Sequence, residues 1–178
     1  MEESAVEPAL RNVAERAIAL AATGAWSPAD QQQIVDALSA LAPSDPPSNT
    51  VEIGGDLAHA TVFPLRRGAI LPLHDHAGMT VICKVFHGRM RIESFEWVDQ
   101  SSHLARDLGA HELDGSAPPL VFGPRPGTLH RITALTDCAF IDLFAPYYDD
   151  DRPCRYYRAG ARRADGLVAL EPTGEVAP

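Results

Sequence analysis

The spacing of apolar positions changes character once along this chain. Between residues 7 and 22 it is helical, with Leu10, Val13, Ala14, Ala17 and Ile18 on one side of an alanine-rich stretch, and Gly24 follows as a stop. A second helix opens at Ser27-Pro28, an N-cap followed by proline at the first helical position. It turns Ile34, Leu38 and Leu41 inward and ends before Pro43. Residues 43–49 (Pro-Ser-Asp-Pro-Pro-Ser-Asn) read as a linker. From Thr50 onward the texture becomes short β-rich runs broken by glycine and proline. They are Ala60–Leu65, Ala69–Leu73, Thr80–His87, Arg89–Trp97, Ala105–Leu108, Leu120–Phe122, Leu129–Ala134 and Ala139–Phe144. Gly88, between two of these runs, reads as a hairpin. Short strands with no helical run between them predict a mainly β fold, a barrel or jelly roll of short antiparallel strands behind a short N-terminal helical segment. The stretch beyond Glu171 is small and polar and is expected to be loose. The layout is then 1–49 for helices and linker, 50–170 for the β domain and 171–178 for a flexible tail.

Composition narrows the partners. A chain of 178 residues suits one domain with an ample core. A formal charge of −9, with Lys84 alone beside fourteen arginines, argues against nucleic acid and an anionic membrane surface. Arg152, Arg155, Arg158, Arg162 and Arg163 cluster, but Asp149, Asp150 and Asp151 dilute them. The first residues have no basic or apolar leader pattern, so no secretory signal is expected. No run approaches the roughly eighteen apolar residues a membrane span needs. Three cysteines at unrelated spacings fit a reducing compartment. A cytoplasmic monomer is the expectation.

Candidate chemistry centres on His74 and His76. Residues i and i+2 on a strand point the same way, so both imidazoles can reach one metal from one face. His130, after a Pro/Gly turn at the start of an apolar run, could be folded back to the same point. Three neutral nitrogens leave coordination positions free, as a catalytic metal requires. His87 before Gly88 reads as a packing residue, and His59, His103 and His111 as surface residues. Asp142 stands in an otherwise apolar strand, where a carboxylate is costly without a partner. Cys83 and Cys138 read as core.

The motifs around these residues carry a resemblance. The run from Gly68 through His74-x-His76 to Gly88 resembles the first metal motif of the cupin superfamily, with Thr80 or Val81 where many cupins place an acidic ligand. Pro126-Gly127-Thr128-Leu129-His130 resembles the second. Three histidines without a carboxylate resemble the thiol dioxygenases, and within them the cysteamine dioxygenase and plant cysteine oxidase family. The blocks that carry this are Pro72-Leu73-His74-Asp75-His76-Ala77-Gly78-Met79-Thr80-Val81, Gly88-x-Met90-x-Ile92-x-Ser94-Phe95-x-Trp97, and Ile141-Asp142-Leu143-Phe144-Ala145-Pro146-Tyr147-Tyr148-Asp149 followed by Cys154-Arg155-Tyr156-Tyr157. Ala77 stands where the family usually has proline, and Thr128 where it often has asparagine.

The resemblance implies a cupin barrel, Fe(2+) held by His74, His76 and His130, and O2-dependent conversion of a thiol to a sulfinic acid. It implies a role for Asp142 beside the iron, orienting a ligand or the substrate amine. It puts Tyr148 near the substrate, although an aromatic packed under the loop is nearly as good an account. Cys154 and Tyr156, two apart, match a pair that can form a thioether; a buried thiol beside a core tyrosine is the plainer alternative. The implied substrates share a 2-aminoethanethiol group, found in cysteamine and in a protein's N-terminal cysteine. Free cysteine would need a cation for its carboxylate, with Arg125 as the candidate near a ligand loop. Arg152 and Arg155 are placed at the pocket rim, where they could contact a peptide. The competing class is a non-enzymatic or differently metallated cupin, such as a ligand-binding regulator or a Zn or Mn isomerase.

Overall fold

In the computed structural model, which describes residues 8–55, 57–125 and 127–176, the alanine-rich stretch forms α1 (Pro8–Leu20). Glu7, Pro126 and the last two residues, on which parts of the readings above fall, lie outside the described residues. Helix α2 (Pro28–Ser39) starts as its sequence predicts. The Ser27 side chain accepts from the Asp30 N–H, and the Asp30 carboxylate accepts from the Ser27 N–H at 2.9 Å. Trp26 fixes the turn between the helices by donating its indole N–H to the Ala17 carbonyl at 2.8 Å.

Among the described residues eleven strands follow: β1 (Val51–Gly55), β2 (Ala58–Leu65), β3 (Ile70–Asp75), β4 (Thr80–His87), β5 (Arg89–Asp99), β6 (Leu104–Asp114), β7 (Leu120–Phe122), β8 (Thr128–Ala134), β9 (Cys138–Ala145), β10 (Arg155–Ala159) and β11 (Leu167–Val176). They form two antiparallel sheets. One has the order β1-β2-β9-β4-β7. The other runs β10-β11-β6-β5-β8-β3, with β10 also meeting β3 through Tyr156 opposite His74. The molecule is thus mostly β with two sheets and N-terminal helices.

Strand β9 is buried along its whole length because both its faces are covered. Ala139, Ile141, Leu143 and Ala145 share one apolar cluster with Leu10, Ala14, Ala17, Trp26, Ile34 and Leu38 of the helical segment. Each fully buried large aliphatic there contributes about 1.5–3 kcal/mol. The alternate residues Cys138, Phe140, Asp142 and Phe144 face the other way, into the space between the sheets. Period-two alternation therefore aims Asp142 inward.

Three expectations change. Gly88 is not a hairpin: β4 pairs with β7 and β9 whereas β5 pairs with β6 and β8, so the glycine turns a corner from one sheet into the other. Its φ is +64°, and a Cβ would stand 2.0 Å from the Asp137 carbonyl oxygen, which leaves no room for another residue. Nor is the chain loose from Glu171 to Val176. Those residues belong to β11, and Arg158 pairs with Glu171, Tyr157 with Pro172 and Arg155 with Val176, so backbone pairing to β10 orders them. His59, expected at the surface, is buried because its ring stacks on Tyr147 at 4.0 Å. Among the described residues no helix is long and apolar enough to cross a membrane.

Candidate metal centre

Three antiparallel neighbours build the centre. On β3 His74 pairs with His130 of β8, which pairs in turn with Ser94 of β5. His76 lies one residue past β3, held by its N–H to the Thr128 carbonyl at 3.2 Å, before a turn at Gly78 (φ +69°). The ring centroids are 4.8, 4.8 and 4.5 Å apart, and one nitrogen of each histidine lies within 4.8 Å of the others. The spacing argument from the sequence thus describes a real convergence.

Hydrogen bonding fixes the tautomers. A carbonyl only accepts, so His74 Nδ1 carries the proton it donates to the Pro72 oxygen at 2.7 Å. The Tyr148 hydroxyl spends its single proton on the Asp75 carbonyl at 2.8 Å. His76 Nδ1, 2.7 Å from the same hydroxyl oxygen, must then be the donor. Both Nε2 atoms are left with lone pairs. His76 Nε2 stands 3.1 Å from His130 Nε2. Two nitrogens bound at about 2.1 Å and at right angles sit roughly 3 Å apart, so the separation is that of adjacent ligands on one ion. A proton on His130 Nε2 can be shared with one of these lone pairs but leaves the other unrelieved; a cation in place of that proton is held by all three nitrogens.

Burial strengthens the case. It pushes His74 below its ordinary pKa, against a smaller opposing effect of the Pro72 carbonyl. It pushes His76 and His130 well below theirs, helped by repulsion among the rings. All three are neutral imidazoles at pH 7, the form that a metal requires. Phe122 packs against His130 (centroids 5.3 Å) and Phe144 against His76 (5.8 Å), so apolar rings border the histidines. The residues present fit a mononuclear ion such as Fe(II), held by three neutral nitrogens with no protein carboxylate among the ligand candidates.

A cavity of about 600 Å³ opens beside the triad. His74, Asp142, Phe144 and Tyr156 line it, as do Tyr148 and Cys154. Asp142 is 2 % exposed, and its Oδ1 has no partner among the described residues. Burial raises its pKa to about 7, offset in part by a hydrogen bond from the Cys83 thiol. Burial pushes the Cys154 thiol up to about 11, against smaller opposing effects of the Tyr148 and Tyr156 hydroxyls. The sequence candidates are therefore brought together. Arg125 is exposed and absent from the cavity wall, so no carboxylate partner is supplied from there. Arg152 is bound to Asp149, and neither Arg152 nor Arg155 lines the cavity.

Asp75, between the two histidines, had drawn no attention in the sequence. Alternation turns its side chain away from theirs. There, fully buried, it accepts from the Arg155 N–H at 3.0 Å and the Tyr157 hydroxyl at 3.1 Å. Burial raises its pKa, and these bonds hold it down. It ties β10, which carries the cavity wall, to the ligand strand. An acidic residue flanked by two inward-facing histidines was the available signal. Asp75→Ala should cost about 2–4 kcal/mol in chemical denaturation, because a buried hydroxyl and a partly buried N–H lose their acceptor; an unchanged midpoint and slope would remove that role.

Comparison with known proteins agrees with the geometry. Residues 50–170 match the PCO_ADO family model. The chain is 32% identical over 126 residues to plant cysteine oxidase 2 of Arabidopsis thaliana, covering 64% of this chain and 46% of the relative. It is 31% identical over 106 residues to a probable 2-aminoethanethiol dioxygenase of Dictyostelium discoideum, covering 54% and 49%. It thus spans about half the length of the curated relatives it matches. Among solved structures it aligns with KdgF from Halomonas sp. at 22% identity and TM-score 0.43, over 61% of this chain and 90% of that one. With the family model matching well over half of the residues, the chain belongs to the PCO_ADO family of plant cysteine oxidases and cysteamine dioxygenases, within the cupin superfamily.

Proposed function

We propose that this protein is a non-heme Fe(II) thiol dioxygenase that converts a 2-aminoethanethiol group to its sulfinic acid, RSH + O2 → RSO2H. The observation that carries the reading is a trio of neutral histidines with no carboxylate among the ligand candidates, one of which, His74, lines a cavity that has acidic residues and no lysine or arginine among its described lining. The relatives' names, a cysteine oxidase and a 2-aminoethanethiol dioxygenase, point the same way. On this reading the two sheets are a cupin jelly roll, residues 50–170 are the catalytic unit, and the helices before it cover its outer sheet. The working form is a cytoplasmic monomer with O2 and a thiol as partners and neither nucleic acid nor membrane, in keeping with the −9 charge and three free cysteines.

Bound by the triad, Fe(II) supplies the charge that favours a thiolate and the redox chemistry that joins sulfur to O2. The chain does the rest. His74 and His76 keep their protons on Nδ1, through Pro72 and through Tyr148, so that Nε2 stays a donor to metal. Tyr148 acts on the centre through this bond. Asp142 offers a dry acceptor, Oδ1, to the substrate ammonium. Cys154 and Tyr156 both line the cavity; on this reading each can lose one hydrogen to O2 and form a thioether in a fraction of iron-loaded, oxygen-exposed protein, which would shape the wall.

Size favours a peptide over a small aminothiol. At about 30 Å³ per water, the cavity holds roughly twenty waters, and cysteamine would displace a handful. Oxygen uptake by the iron-loaded protein, with mass analysis of products, tests the reading. An N-terminal-Cys peptide or cysteamine should exceed L-cysteine in kcat/KM by at least about tenfold, because a free carboxylate enters an acidic cavity without a counter-ion. L-cysteine as the best substrate, or no sulfinic product from any thiol, would overturn it.

A further inference from the structure

The cavity is graded in charge and depth. Its inner end holds His74 and the buried Asp142, whose unpartnered Oδ1 points to a polar ligand. Its outer end is made by Glu52 of β1 and by Asp149 and Asp150 of the β9–β10 loop, all exposed. These carboxylates are not equivalent. Asp149 is neutralised by Arg152. Glu52 and Asp150 have no ion pair among the described residues, and His59, the imidazole that feels Glu52, is kept uncharged by burial. Among the described lining residues there is no lysine or arginine to balance them.

A cysteine-initiating peptide bound with its sulfur at the triad and its ammonium near Asp142 must leave through this outer end. Each residue of an extended chain advances about 3.3–3.6 Å, so the side chains just behind the cysteine are the first to pass the rim. We infer that Glu52 and Asp150 form a subsite for a cationic side chain, selecting N-terminal-Cys peptides with lysine or arginine at the second or third position. The inference rests on the thiol dioxygenase reading for the direction of the peptide, while the charge preference itself is a property of the rim.

The test compares three peptides of equal length, Cys-Lys-Lys, Cys-Gly-Gly and Cys-Glu-Glu followed by the same neutral tail. Binding to the iron-loaded protein is read by calorimetry under argon, and kcat/KM by oxygen uptake. Two exposed carboxylates should favour the lysine peptide over the glutamate peptide by about fivefold or more in both readouts at low salt. The ratio should shrink at 0.5 M NaCl and fall toward one in Glu52→Gln/Asp150→Asn. Glu52→Lys/Asp150→Lys should invert it. Ratios taken within one protein are indifferent to how much of a variant folds. Equal binding of the three peptides by the wild type, or a preference that survives in the double variants, overturns the subsite. A charge preference in binding with no sulfinic product from any peptide leaves the subsite standing and removes the dioxygenase reading instead.

Discussion

His130→Ala should yield a folded protein that retains neither iron nor thiol turnover. His130 is wholly buried, flanked across the strands by His74 and Ser94 and packed against Phe122. Alanine there forfeits the packing of the ring but no Nδ1 hydrogen bond, since that atom has no partner among the described residues. What it supplies beyond packing is one of three nitrogens that converge on one point. With two left, the set no longer encloses an ion on three sides, and no carboxylate is among the ligand candidates to replace it. Bound iron should fall from about one per chain to background, and oxygen uptake with it, while circular dichroism stays native. Full iron and full activity in the variant would refute the triad. The same neutral imidazoles set the pH behaviour of the metal-free protein. Burial lowers all three pKa values below the ordinary 6.5. The unfolded chain therefore binds protons that the fold refuses, so their contribution to stability is complete above pH 6.5 and is lost progressively below it.

How much of this was legible depended on whether local spacing carried the information. The His74–His76 pair needs only strand alternation, and α2 declares itself through Ser27, Pro28 and Asp30 within a few residues. Asp142 was suspect because a carboxylate interrupts a run that is apolar on both faces. What depends on the partner strand was not readable. Strands β10 and β11 were missed because Arg155 and Arg158 break up the apolar signal of the first and Pro172 and Gly174 that of the second. Pairing with β3, β6 and each other makes them strands. That omission hid the role of Asp75, whose partners both come from β10. Gly88 was misread for a related reason: sequence shows that the chain turns there, but the identity of the neighbours on either side decides between a hairpin and a change of sheet. His59 became a buried residue through a ring 88 positions away, Tyr147.

Asp142→Asn should separate stability from activity. Burial holds the Asp142 pKa at about 7 in place of the ordinary 3.8. In the metal-free protein, then, the carboxyl costs the fold nothing below pH 3.8, progressively more as the pH climbs to about 7, and a constant amount above that. At about 1.4 kcal/mol per pH unit the plateau is on the order of 4 kcal/mol. Asparagine keeps the shape and cannot ionise, so the variant should be as stable as wild type at pH 4 and more stable at pH 8. Activity should move in the opposite direction. An amide cannot offer the ammonium a full negative charge, and removing one partner of a desolvated, hydrogen-bonded charge pair typically costs about 2–5 kcal/mol. The iron-loaded variant is expected to lose at least about tenfold in kcat/KM at pH 8, mainly through a raised KM for an N-terminal-Cys peptide, with its iron content unchanged. Denaturation from pH 4 to 8 without metal, beside oxygen uptake with it, reads both effects. A gap in stability that fails to open across that range would show that the carboxyl is not desolvated as its burial requires. Near-wild-type kinetics would make Asp142 a strand residue with no part in substrate binding.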